Sequence, residues 1–232
     1  MAKKVCTYNL SEPLHGVSTA KVDINTVDGN LKIDALTGGS EVANGTLQYM
    51  ENQEPPTQSV SMSGSQAILT LKSGKKEQSW IRLPWAACNA ATEWQIHLNP
   101  TIPLDIAAHS GGGNVTLDLT GLTVTRLTAD TGGGNMEVIL PDAAAGMEAA
   151  IKTGAGNVTV HIPSGIAVKV QATSGLGKVI VDAPLCQIDK KTYQSPDYDS
   201  AVDKLEITAS SGAGNVSIKE KIGHPEASPI RV

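Results

Sequence analysis

The chain has 232 residues, with 23 Gly, 12 Pro, seven aromatics and no Phe, and it sets 18 Lys and Arg against 23 Asp and Glu for a net charge of −5. The length suits one large β domain, the abundance of Val, Ile and Leu argues against disorder, and scattered Lys and Arg in an acidic chain offer no field for a nucleic-acid backbone. No run approaches the roughly 18 apolar residues of a membrane span, and the residues after Lys3-Lys4 turn polar at Thr7 to Asn9, so neither a span nor a signal peptide is expected.

Residues 1–18 are expected as an N-terminal tail or first strand. A single β domain is expected over 19–222, with irregular rungs over 19–103, regular rungs over 104–218 and a C-terminal tail over 223–232. Ala20, Val22 and Ile24 alternate before Asp28-Gly29, and Leu31 and Ile33 alternate after it, which predicts strand, turn, strand. Thr37-Gly38-Gly39-Ser40 and Ser63-Gly64-Ser65 read as weaker turns leading into strands at 41–50 and 67–71. Between them Glu54-Pro55-Pro56 marks 51–59 as a loop. The stretch 73–92 is irregular and holds Trp80, Arg82, Pro84, Trp85 and Cys88; alternation resumes at Trp94 to Leu98.

From Leu104 onward one hexapeptide recurs. It reads Ser110-Gly111-Gly112-Gly113-Asn114-Val115, Thr131-Gly132-Gly133-Gly134-Asn135-Met136 and Thr153-Gly154-Ala155-Gly156-Asn157-Val158. It continues as Ser174-Gly175-Leu176-Gly177-Lys178-Val179 and Ser211-Gly212-Ala213-Gly214-Asn215-Val216. The copies start 21, 22, 21 and 37 residues apart, so the last interval is one period plus an insertion, placed at 185–204. Two residues before each turn stand Ala108, Ala129, Ile151, Ala172 and Ala209, and both flanks alternate with period two. Matching sizes at matching places are what like-on-like stacking demands. The expected fold is therefore all-β, a single-stranded parallel β-solenoid of the β-helix or β-roll kind with rungs of about 21 residues and Gly-rich turns. An antiparallel sandwich is the alternative. The asparagines after the glycines would form an amide ladder along the stack.

Chemistry is harder to find. The glycine turns lead into strands rather than a helix N-terminus, so they are not phosphate loops, and apart from Asp28 they lack the carboxylates of a calcium-binding repeat. His15, His97, His109, His161 and His224 have no metal-ligand spacing, and Cys6, Cys88 and Cys186 are too few and too scattered for a disulfide framework, although one pair remains open. No catalytic residue, metal ligand or cofactor site is read, and the chain is expected not to be an enzyme. The residues set apart as an interaction surface are Trp80, Arg82 and Trp85, with Tyr193 and Tyr198 in the insertion. The tryptophans could instead cover an edge of the fold, and the insertion is either a cap or a recognition loop; Trp94 is placed in the core. Partners would be proteins or an envelope polymer, with self-association through open ends or edges. The competing reading is a carbohydrate-binding or carbohydrate-active protein using the Trp80 to Trp94 region.

Several of these segments together resemble a known family. They are Pro163 to Val170, Thr173 to Val179, Tyr193 and Tyr198, and Leu205-Glu206-Ile207 leading into Ser211 to Val216, with Trp94 to Asn99, Ile102 to Asp105 and Leu117 to Leu122 upstream. Residues 166–218 resemble the C-terminal part of the toast-rack family, which includes the C-terminal domain of LiaF-type regulators of the cell-envelope stress response and related proteins described as adhesins. The likeness extends over most of 20–220. It implies a parallel β-solenoid-like domain without established catalytic residues, at the bacterial envelope or cell surface. The cytoplasm is the alternative, because no signal peptide is read here.

Overall fold

The computed structural model describes residues 4–14, 16–74, 92–144 and 146–221, and every regular element among them is a β-strand. In chain order these are β1 (Val5–Pro13), β2 (Thr19–Thr26), β3 (Asn30–Ala35), β4 (Glu41–Met50), β5 (Thr57–Ser63), β6 (Gln66–Lys72), β7 (Glu93–Leu98), β8 (Leu104–Ser110), β9 (Val115–Asp118) and β10 (Val124–Gly133). The remainder are β11 (Met136–Ile139), β12 (Glu148–Ala155), β13 (Val158–Ile162), β14 (Ala167–Ser174), β15 (Val179–Asp182), β16 (Cys186–Gln187), β17 (Thr192–Gln194), β18 (Lys204–Ala213) and β19 (Val216–Glu220). One sheet runs β1-β4-β7-β3-β9-β11-β13-β19-β15, and the other runs β16-β17-β14-β18-β12-β10-β8-β2-β6-β5.

Period-two alternation explains how the two sheets close on each other. In β8, Leu104, Ile106, Ala108 and Ser110 are buried while Asp105, Ala107 and His109 face outward. The pattern repeats in β10, β12 and β18, and the inward residues of both sheets form one contiguous aliphatic core. The columns read from the sequence are real pairings: Ala108 lies beside Ala129, Ala129 beside Ile151, Ile151 beside Ala209, and Ala209 beside Ala172. Each successive parallel strand is displaced by about 4.8 Å, so side chains of like size meet their counterparts.

The expectation of a single-stranded parallel solenoid throughout needs correction. Both sheets are mixed: β1 and β4 run antiparallel at one end of the first, and β5 and β17 are antiparallel additions at opposite ends of the second. Stacking also departs from chain order. The last coil, β18 and β19, lies between the β12/β13 coil and the β14/β15 coil, pairing in parallel with both. At the opposite end, β6 and β7 flank β2 and β3 on the outside, while β8 and β9 take the inner side. Of the two alternatives for residues 1–18, the first strand is present as β1, whereas the expected loop over 51–59 already joins β5 at Thr57, which pairs with Lys72.

The corners explain the hexapeptide position by position. Its second glycine column, Gly113, Gly134, Gly156 and Gly214, has φ between 105° and 147°. A Cβ at Gly134 would run into the carbonyl oxygen of Gly113, one at Gly156 into that of Gly134, and one at Gly214 into that of Gly156. The middle position is open: a Cβ at Gly133 would meet nothing within 4 Å, which is why Ala155, Leu176 and Ala213 are tolerated there. The leading hydroxyls are mostly buried and donate to corner carbonyls, as in Thr153 Oγ1 to Gly134 O at 3.1 Å and Ser211 Oγ to Gly156 O at 2.8 Å. These bonds satisfy polar groups that the corner takes out of water.

Candidate interaction surface

Outward-facing residues form rows along the stack, because each parallel strand repeats the register of the last. On the first sheet one row is Thr116, Glu137, Thr159, Ser217 and Ile180, and the next is Asp118, Ile139, His161, Lys219 and Asp182. Many ionisable groups are engaged with the neighbouring strand. His109 Nδ1 lies 2.5 Å from Asp130 Oδ2, His97 Nδ1 contacts Asp34 Oδ1, His161 Nε2 lies 3.2 Å from Glu137 Oε1, and Arg126 reaches Glu148 at 3.1 Å. Exposed pairs of this kind add little individually and serve mainly to match one coil to the next.

The asparagines do form a ladder. The backbone N–H of Asn114 donates to Asn30 Oδ1, that of Asn135 to Asn114 Oδ1, that of Asn157 to Asn135 Oδ1, and that of Asn215 to Asn157 Oδ1, at 2.9 to 3.1 Å. The row ends where Lys178 N–H donates to Asn215 Oδ1 at 3.0 Å, since Lys178 brings no amide oxygen of its own. Along this row a shallow groove of about 420 Å³ is lined by Asn114, Asn135, Asn157, Thr116, Glu137 and His161, among others.

Of the residues singled out for an interaction surface, Tyr193 and Tyr198 lie among the described residues. Trp80, Arg82 and Trp85 lie outside the described residues, as do His15, His224 and Cys88. Trp94 is 3% exposed, and its indole N–H donates to the Gln48 carbonyl at 3.1 Å, so it is a core residue, as expected. Cys6 and Cys186 are free thiols.

Tyr198, expected at an interaction surface, is 6% exposed. Its hydroxyl donates to Glu206 Oε1 at 2.7 Å, and Lys204 Nζ sits 5.0 Å from the ring centroid, with Lys169 Nζ at 5.8 Å. Burial first, then the bond to Glu206, pushes the phenol up to about 12. Its role is to pin the insertion onto β18 and β14. Tyr193 pairs across from Val170, whose side chain points into the core, and is half-buried. Asp189 organises the turn before β17: its Oδ1 accepts from the N–H of Lys191 at 2.8 Å and of Thr192 at 2.9 Å, and these bonds hold the carboxyl below its usual range. The insertion therefore caps the free edge of β14 through β17.

The sequence reading missed what the cap leaves uncovered. β15 is the last strand of the first sheet, its inward residues Val179 and Val181 are only half-buried, and Leu176 and Ile180 beside them are 86% and 47% exposed. The signal was present in the fourth hexapeptide, where Leu176 replaces Gly or Ala and Lys178 replaces Asn.

Among solved structures, the chain is similar to one described as a "putative cell adhesion protein" from Clostridium sporogenes ATCC 15579, with a TM-score of 0.85 and 23% identity over 94% of this chain and 100% of that one. At that identity the likeness is one of fold. No curated protein matches the chain. The family described as "N-terminal domain of toast_rack, DUF2154" matches residues 1–161, upstream of the 166–218 segment on which the LiaF-type resemblance rests. With well over half of its length covered by that match and its strands arranged as above, the chain belongs to the toast-rack family.

Proposed function

We propose that this protein is a non-enzymatic interaction scaffold of the bacterial cell envelope or surface, contacting other proteins or an envelope polymer. The observation that carries this reading is the use of its ionisable side chains. His97, His109 and His161 are each paired with a carboxylate on a neighbouring strand, and among the described residues no hydroxyl or thiol that could serve as a nucleophile is hydrogen-bonded to any of them. The fold shared with a protein described in terms of cell adhesion supports the same reading and the same location. A carbohydrate role through the Trp80 to Trp94 region loses one of its platforms, because the Trp94 ring is enclosed.

The test is binding of the full chain to purified envelope material. Saturable retention on isolated cell walls or on envelope proteins, without release of reducing sugar ends, is the expected result. Release of sugar ends that scales with protein concentration, or no retention on any envelope fraction, would overturn the proposal.

A further inference from the structure

Each sheet contains a run of parallel strands, and three of the four ends of these runs are finished in the same way. An antiparallel strand is laid on the last parallel one: β4 on β7, β5 on β6, and β17 on β14. At the β1/β5 end the two sheets are further tied together, since Tyr8 Oη donates to Gln58 Oε1 and Gln58 Nε2 donates to Glu12 Oε2. The fourth end is β15, which among the described residues pairs with β19 alone. The second sheet continues for two strands, β17 and β16, beyond β14, while the first sheet stops at β15 and leaves a step beside it. Its walls are apolar: Val179 and Val181 are half-buried, whereas their counterparts Met136, Val138, Val158, Val160, Val216 and Ile218 are fully covered. Tyr193 and Leu185 are likewise half-buried against the core.

The backbone is oriented to receive a strand. Val216 N–H donates to the Lys178 carbonyl at 2.9 Å, so alternation turns the N–H and C=O of Val179 and Val181 away from β19. The edge also has a charge pattern. Lys178, Ile180 and Asp182 share the outer face, placing a cation, an apolar side chain and an anion at successive positions.

We propose that β15 is a docking edge that takes one extended strand of a partner polypeptide, running antiparallel. The strand turns apolar side chains toward Val179, Val181 and Tyr193 and sets an acidic residue against Lys178 and a basic one against Asp182. This rests on the scaffold reading above and names where a protein partner attaches. A whole second copy is a poorer fit. Pairing β15 with β15 about a two-fold axis would drive the overhanging β17 and β16 of each copy into the same space, whereas a lone strand takes the place next to β15 and supplies the antiparallel finish found at the other three ends.

The antiparallel complement of residues 178–182 has the same sequence as the segment itself, which supplies the probe. A fluorescent peptide Gly-Lys-Val-Ile-Val-Asp-Ala is titrated with the full chain, beside a control in which its Lys and Asp are exchanged. The expected result is at least roughly tenfold tighter binding of the matched peptide, with slowed amide exchange at Val179 and Val181. In a chain carrying both Lys178→Asp and Asp182→Lys the preference reverses, and circular dichroism shows whether that variant is folded. Equal binding of both peptides, protection elsewhere, a β15-mediated dimer in sedimentation, or binding only after removal of residues 222–232 would each overturn the proposal. If the peptides fail while the chain still binds envelope material, the docking edge falls and the scaffold reading stands; if the chain binds neither, both fall.

Discussion

The backbone N–H of Asn157 donates to Oδ1 of Asn135 at 2.9 Å, although the two residues are one full coil apart in the chain. One side chain thus satisfies the backbone of the next coil at the corner, where the strand ladders cannot reach. Asn135→Ala should cost about 1 kcal/mol by urea denaturation and speed amide exchange at Asn157, while Asn135→Asp, which keeps the acceptor, should recover most of the loss.

The glycine columns predict a sharp contrast between neighbours. Gly134 has φ of 120° and faces the Gly113 carbonyl, so Gly134→Ala should cost about 2 kcal/mol or more. Gly133→Ala next to it meets no atom within 4 Å and should stay within about 0.5 kcal/mol of the parent. Equal midpoints for the two variants would contradict the corner geometry.

Thr26 occupies the hydroxyl column, but its Oγ1 is the one buried side-chain polar atom among the described residues without a hydrogen-bond partner. Thr26→Val removes that hydroxyl and keeps the shape. Thermal denaturation should show the variant as stable as the parent or more so, by up to about 1 kcal/mol.

Tyr198 makes stability depend on alkaline pH. Its folded value of about 12 lies above the ordinary 10, so the folded state holds this proton more tightly than the unfolded one. The associated stability is fully present below pH 10 and is lost as pH rises toward 12. Tyr198→Phe should cost about 1 to 3 kcal/mol at neutral pH, through the lost bond to Glu206, and should flatten the dependence between pH 10 and 12.

The core should weaken toward β15. Ile218 is fully buried, and Ile218→Ala should cost about 2 to 5 kcal/mol. Val181, its half-covered neighbour across the ladder, should cost about 1 kcal/mol on replacement by Ala. Similar losses at both sites in denaturant titrations would mean that the last coil is as well covered as the others.

Local regularity was legible in the residues. Alternation around Leu104, Ile106 and Ala108 marked the strands, and the matched sizes of Ala108, Ala129, Ala172 and Ala209 fixed which residues share a column, because stacking requires like to meet like. The glycine corners and the asparagine ladder followed from the hexapeptide, whose repetition reports one backbone geometry used again and again. The toast-rack resemblance rested on the order of those segments together with Trp94 to Asn99, Pro163 to Val170 and the Gly175-Leu176-Gly177 turn.

Stacking order and the fate of single side chains were decided by tertiary structure. All regular coils present nearly the same edges, and the one local mark, Leu176 and Lys178 in the fourth hexapeptide, sets the β14/β15 coil apart without stating that β18 and β19 slip between it and the β12/β13 coil. Nor could composition tell that Tyr198 is folded against Glu206 while Tyr193 borders an open step. Repeats specify a local register through side-chain size and backbone hydrogen bonds, whereas the order of coils and the place where the stack stops depend on which edges remain free once the whole chain has packed.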